Sequence, residues 1–188
     1  YGYPQDLERA EELVEESGYA GVEFEVATGQ GHYLGDVQLT EAVVGMINEL
    51  PNVTATAKIQ PWQNHWENIT PGRDNVEQMP VMYLLGWGSG PPDGTVKILG
   101  NFHGEQSLGD ACCYANEDIY PIMTEALSTP DTEARAELIG EMVQILHDDA
   151  AAVFTHRQAG LYGLSNRLKW DPAPNEDLYP HWFEAGEA

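Results

Sequence analysis

The chain has 188 residues and carries 31 Asp and Glu against 8 Lys and Arg, a net charge of −23. A field of that sign repels nucleic acid and anionic membrane, so neither is an expected partner. Five Trp, nine Tyr and regular apolar patterning exclude a disordered acidic chain, and the length suffices for one sizeable core or two small ones.

Tyr3-Pro4-Gln5-Asp6-Leu7 opens the first predicted helix, with Pro4 suited to its first turn. Leu7, Ala10, Leu13 and Val14 form a narrow apolar stripe, Glu8, Glu11, Glu12, Glu15 and Glu16 cover the wet face, and Gly18 ends the helix as a left-handed cap. Val22-Glu23-Phe24-Glu25-Val26 alternates strictly and reads as a strand with one exposed face, with Thr28-Gly29-Gln30-Gly31 as its outgoing loop. A second helix is expected from Asp36 to Leu50, burying Val37, Ala42, Val43, Val44, Met46, Ile47 and Leu50 and stopped by Pro51. Val53 to Ile59 is a second alternating strand, with Val53, Ala55, Ala57 and Ile59 on one side. Pro61-Trp62-Gln63-Asn64-His65-Trp66 reads as a short helix whose two Trp, four residues apart, cap the core.

Arg73 to Met79 is a polar connector into Val81-Met82-Tyr83-Leu84-Leu85, an apolar run expected as a buried strand. Gly86-Trp87-Gly88-Ser89-Gly90-Pro91-Pro92-Asp93-Gly94 follows at once. A Gly-rich strand end lets backbone amides approach a ligand, Trp87 offers a flat apolar wall, and α/β sheets bind beyond the carboxyl ends of their strands. The order helix, strand, helix, strand, helix, strand argues for an α/β sheet with helical crossovers. Lys97 to Gly109 has no clear period. Asn116-Glu117-Asp118 begins a helix carrying Ile119, Ile122, Met123 and Ala126. Thr129-Pro130-Asp131 starts another, with Thr129 as cap, which runs to about His147 and buries Ala134, Leu138, Met142, Ile145 and Leu146. Ala151 to Thr155 and Leu161 to Leu164 are expected as short strands around Arg157, and the acidic, Pro-rich tail places Trp182 and Phe183 where they need a partner surface.

Such acidity on a folded chain predicts adaptation to high salt, a halophilic source, because molar salt screens charges within about 3 Å. Cys112 and Cys113 are adjacent, a spacing that suits neither a metal site nor an unstrained disulfide, so they read as two small partly buried side chains. No apolar run reaches the roughly 18 residues of a membrane span, and the start at Tyr1 reads as a processed form or an excised piece.

Catalytic groups are few. Ser89 lacks the spacing of a nucleophile elbow, since Gly88 and Gly90 flank it directly. The six His are scattered singly, so no zinc site is expected, and neither a phosphate loop nor a dinucleotide fingerprint is present. No cofactor is implied, and the chain is not read as an enzyme. Two competing readings remain open: a hydrolase domain using acids such as Asp93, and an interaction domain docking through Trp182 and Phe183.

Three segments carry a resemblance: Tyr3 through Tyr19; Leu85-Gly86-Trp87 with its Gly/Asp/Pro loop; and the helices from Asn116-Glu117-Asp118 and Thr129-Pro130-Asp131 through Arg135 to Ala150. In order and spacing over about residues 1 to 165, the chain resembles the family 5 extracellular solute-binding proteins, the dipeptide-, oligopeptide- and nickel-binding components of ABC importers. The resemblance implies an α/β, periplasmic-binding-protein-like (type II) lobe with a mixed sheet flanked by helices. It makes residues 1–169 the second, ligand-binding lobe and residues 170–188 a segment returning toward a missing first lobe. It implies capture of a small peptide or other small solute between the lobes and delivery to an ABC permease. The location implied is extracytoplasmic, with the full-length protein tethered to the membrane. The ligand-binding residues implied are Trp87, Gly88, Ser89 and Asp93, with Thr28, Gln30 and Arg157 as further candidates. Dipeptide binders of this family carry, on the Gly-Trp loop, an Asp that pairs with the ligand's amino terminus. Gly90 stands near that place here, so either Asp93 substitutes or the ligand lacks an ammonium group.

Overall fold

The structure, a computed structural model, describes residues 2–70, 77, 79–88, 94, 98, 102, 114, 116–173 and 177–186. The chain divides into two units: residues 1–86 with 100–117, and residues 87–99 with 118–188.

The first unit is built on a parallel sheet. Helix α1 (Leu7–Ser17) leads to strand β1 (Val22–Gln30), followed by α2 (Asp36–Ile47), β2 (Val53–Pro61), α3 (Trp62–Ile69) and β3 (Met82–Tyr83). The strand order is β2-β1-β3, with β1 parallel to β2 from Val22↔Val53 to Gln30↔Pro61 and to β3 at Val26↔Met82 and Ala27↔Tyr83. The chain leaves β1 toward one side and then crosses back to the other. Right-handed crossovers therefore put α2 and α3 on opposite faces of the sheet, and both pack on β1. That sandwiching explains why Val26, Ala27, Thr28 and Gly29 are all buried. The alternation expected of a half-exposed strand holds only at Glu23 and Glu25. Thr28 to Gln30, expected as a loop, are the last three residues of the strand, because Pro61 and Gln60 of β2 still pair with them.

Several other expectations are corrected. Helix α1 starts at Leu7 rather than at Pro4, because the Asp6 side chain accepts from the Arg9 amide and sets the cap; Gly18 closes it at φ 76° as read. Its stripe buries no residue, and Leu7 and Leu13 stay 42% and 49% exposed. Helix α2 buries only Asp36 and Thr40 instead of a broad face, and Met46 is 64% exposed. A sheet of three described strands is too narrow to cover that helix. On β2, only Ala55 is buried while Ala57 and Ile59 are exposed, since the strand has one neighbour among the described residues. Its open side is partly closed by Asn48, whose side-chain amide pairs with both the N–H (2.8 Å) and the C=O (3.0 Å) of Ala55. β3 is two residues long rather than five, and Val81 is exposed.

The second unit includes helices α4 (Ile119–Ser128) and α5 (Thr132–Asp148), packed on each other. Ile119, Met123 and Ala126 on α4 and Met142 and Leu146 on α5 are buried. Spacings of three and four residues put each set on one helix face. Asp131, not Thr129, caps α5: its carboxylate accepts from the amides of Glu133 and Ala134 at 3.1 and 2.8 Å. The Thr129 hydroxyl instead donates to the Glu125 carbonyl at the end of α4. Ala134, expected inside, is exposed. Residues 151–155 and 161–164 are not strands. Val153, Phe154 and Leu161 are 72%, 67% and 82% exposed, and no partner strand stands beside them among the described residues. Farther on, β4 (Leu168–Lys169) pairs antiparallel with β5 (Glu184–Ala185), bringing Trp170 onto Phe183 in a stacked pair with centroids 5.4 Å apart. Trp182 is 43% exposed.

Candidate binding edge of the parallel sheet

The three described strands of the first unit point the same way, so their carboxyl ends gather at one edge. Chain segments that leave a parallel sheet at that edge are the ones free to meet a ligand. Here they are the Gly31–Gly35 loop after β1, the start of α3 after β2, and Leu84 to Gly86 after β3.

Aromatic rings fill this edge. His32 stacks flat on Trp62, with ring centroids 3.5 Å apart and planes within 5°. Tyr33 meets both edge-on, at 4.6 Å from His32 and 5.6 Å from Trp62. The loop that carries His32 and Tyr33 is set by Asp36, which is buried at the start of α2. Its carboxylate accepts from the amides of His32, Tyr33 and Val37 at 2.9, 3.1 and 2.8 Å. Charge-assisted bonds of this kind are roughly twice as strong as neutral ones, so one carboxylate both starts the helix and fixes the loop before it.

Two glycines make the close packing possible. A Cβ on Gly29 would lie 2.5 Å from Trp62 Cε3 and 3.2 Å from both Trp62 Cα and His65 Cβ. A Cβ on Gly86 would lie 2.9 Å from Tyr33 Cε1. Tyr33 uses that closeness to donate its hydroxyl to the Gly86 carbonyl at 3.0 Å.

His65 lies beneath the rings and is fully buried. Its Nε2–H donates to the Leu84 carbonyl at 2.9 Å, and its Nδ1 faces the Gln60 amide nitrogen at 3.4 Å. Gln60 in turn accepts from Asn68 Nδ2 at 2.9 Å. A ring nitrogen facing an amide N–H acts as an acceptor, so the network holds the neutral Nε2–H tautomer. Burial, and secondarily the nearby His32, push the imidazole below its ordinary titration range, against the opposing pull of the Leu84 carbonyl.

The expected site residues distribute as follows. Gln30 is exposed at the end of β1. Thr28 is fully buried one turn of the pleat earlier, and its hydroxyl has no hydrogen-bond partner among the described residues. Trp87, 38% exposed, and exposed Gly88 follow Gly86 directly but belong to the second unit, as does exposed Arg157. Ser89 and Asp93 lie outside the described residues, as do Cys112 and Cys113. The sequence reading passed over His32, Tyr33 and His65 and assigned Trp62 to core capping. Their signal was position: each stands within five residues after a parallel strand. Among the described residues there is no cluster of three His, Cys, Asp or Glu able to hold a metal ion.

No protein-family model and no curated protein matches the chain. Solved structures do. The chain is similar to the oligopeptide-binding protein AppA of Bacillus subtilis in complex with a nonapeptide: TM-score 0.68, 18% identity, covering 98% of this chain and 40% of that one. It is similar to the ABC transporter-associated periplasmic binding protein DppA of Helicobacter pylori with peptide STSA (0.66, 16%, 80% and 28%). It is also similar to NikA of Staphylococcus aureus with Ni(L-His)2 (0.62, 13%, 78% and 30%). The chain thus spans well under half the length of these proteins. At these identities the likeness establishes the fold, that of a periplasmic-binding-protein-like segment with a helix-flanked sheet.

Proposed function

We propose that the chain is a lobe-sized part of an extracytoplasmic solute-binding protein of an ABC importer, which captures a peptide or similar small solute and hands it to a membrane permease. The observation that carries the reading is the likeness to peptide-bound AppA over 98% of the chain. A sheet edge fitted with aromatic rings and exposed backbone supports it. The residues proposed to face the ligand are Thr28 and Gln30 on β1 and, in the chain after β3, Trp87, Gly88, Ser89 and Asp93; Arg157 is a separate candidate. The nickel-bound neighbour keeps a non-peptide solute within the proposal.

A solute held between two lobes stabilises the closed form by its differential affinity for that form, and closure is what a permease reads. The role is binding rather than catalysis, and nothing in the comparisons favours a hydrolase built on Asp93. The first lobe is proposed to cover the exposed apolar side chains Val153, Phe154, Leu161, Leu164, Leu168, Leu178 and Trp182. The segment 170–188 is proposed to return toward that first lobe. Tethering of the full-length protein to the membrane, and a high-salt habitat matching the charge of −23, belong to the same proposal.

The test is mass spectrometry of small molecules that co-purify with the full-length protein in high salt. A bound peptide supports peptide uptake with Asp93 as the ammonium partner. A metal chelate or sugar keeps the importer reading and moves the specificity. Turnover of peptide or glycoside substrates by the same preparation would overturn it.

A further inference from the structure

Asn52-Val53-Thr54 and Asn68-Ile69-Thr70 both carry the Asn-x-Thr pattern, without Pro in the middle, that accepts N-linked sugar in exported proteins. The pattern is short and recurs by chance, but the fold separates the two copies. In the second, every position is committed. Asn68 and Ile69 are the last two residues of α3, and Ile69 is fully buried. Asn68 Nδ2 donates to Gln60 Oε1 at 2.9 Å, and the Thr70 hydroxyl donates to the Trp66 carbonyl at 2.6 Å. Bringing this copy to an enzyme would unwind the end of α3 and draw out a core side chain.

The first copy stands in the turn between α2 and β2. Thr54 is exposed, and its hydroxyl forms no hydrogen bond among the described residues. Asn52 Nδ2 donates to the Glu11 carbonyl at 3.2 Å and to Glu15 Oε1 at 3.1 Å, while its Oδ1 accepts from no described residue. Both acceptors lie on α1, which buries no residue, so that helix can lift from Asn52 without opening a core. We propose that Asn52 is an N-glycosylation site and that Asn68 is not. The proposal rests on the extracytoplasmic reading of the chain, because such sugars are added to exported proteins.

The co-reactant is a sugar carried on a membrane lipid phosphate. Asn52 Nδ2 attacks the sugar's anomeric carbon. The C–N bond forms as the bond from that carbon to the phosphate oxygen breaks, the lipid phosphate leaves with the electron pair, and Nδ2 gives one of its two protons to a base of the transferase. The product amide keeps one N–H, enough for one of its two bonds to α1. Position also favours this copy. Asn52 precedes β2, whose nine residues run about 26 Å to the binding edge at a rise of about 3.3 Å per residue, so a glycan there leaves that edge open.

The test is mass spectrometry of the full-length protein purified from its own source, with the cell fraction recorded. Cleavage after Glu separates the two copies, giving residues 50–67 with Asn52 and residues 68–77 with Asn68. The first peptide is expected to carry added sugar mass and the second none. Thr54→Ala, which leaves the Asn52 amide in place, should abolish the added mass, and Thr54→Ser should retain it. Protein recovered outside the membrane with an unmodified 50–67 peptide overturns the proposal and leaves the solute-binding reading standing. Sugar on 68–77, or sugar on 50–67 that survives Thr54→Ala, overturns it as well. Recovery from the cytoplasm would refute the extracytoplasmic reading, and the proposal with it.

Discussion

Replacing Gly29 by alanine probes whether the candidate edge is set by backbone proximity. The added Cβ would stand 2.5 Å from Trp62 Cε3, where ordinary contact begins at 3.4 Å, so something must yield by about 0.9 Å. The ring alone cannot solve the problem. Trp62 Cα and His65 Cβ lie at 3.2 Å, and both belong to the framework of α3. Helix α3 must therefore lift from β1, or Gly29 must leave its pairing with Gln60. Overpacking of a buried position costs about 1–3 kcal/mol. For a chain of this size that lowers Tm by about 2–4 °C per kcal/mol. The assay is a thermal melt followed by near-UV circular dichroism, to which the edge-on Trp62 and Tyr33 rings contribute. A double-mutant cycle separates the causes. In a Trp62→Ala background the shortest contact is gone, so Gly29→Ala should cost less than half as much. A Gly29→Ala variant within about 0.5 kcal/mol of wild type, the usual range for surface changes, would refute the argument. So would a cost undiminished by removing Trp62.

Other outcomes follow from the same geometry. Thr28→Val removes a buried hydroxyl that lacks a described partner; with shape kept, stability should hold or rise, and a loss above about 1 kcal/mol would mean the hydroxyl is paired. Asp131→Ala should cost about 1 kcal/mol as the loss of an N-cap, whereas Thr129→Ala should cost clearly less; equal losses in urea titrations would return the cap to Thr129. Stability should fall as pH drops below about 6.5, the unfolded histidine value. The folded pKa of His65 is lowered, so between the two values the unfolded chain binds more protons and gains from acid. A His65→Gln melt as pH-sensitive as wild type between pH 7.5 and 5 would contradict that assignment. With a net charge of −23, Tm should rise from 0.1 to 2 M KCl as screening shortens from about 10 Å to a few Å; an unchanged or lower Tm would count against the high-salt proposal.

Local signals located the helices, but picked out the buried face only where two helices pack on each other. Ile119, Met123 and Ala126, with Met142 and Leu146, were legible because each helix packs mainly on its neighbour in sequence, so spacing alone selects the buried face. Strand exposure depends instead on what lies on each side. Val22 to Val26 alternates, yet the strand's second half is buried on both faces because the two crossovers lay helices on opposite sides of the sheet. The residues 151–155 and 161–164 show the reverse failure. Their largely apolar composition suits strands, but a strand exists only where another offers its edge, and no such edge is present for them among the described residues.

The candidate site was legible as a place but not as a set of residues. Parallel topology follows from the helix–strand alternation, and it directs attention to the strand ends at Gln30, Pro61 and Tyr83. What decorates those ends is fixed by contacts between residues far apart in sequence. Tyr33 reaches Gly86 across 53 positions and His65 reaches Leu84 across 19, with no spacing rule to announce either. His65 in particular looked like one of six isolated histidines. Its role follows only from the short strand β3: once the ladder stops at Tyr83, the carbonyls of Leu84 and Gly86 need donors from outside the sheet. Here a backbone that ends its own pairing early is held by side chains at hydrogen-bonding distance.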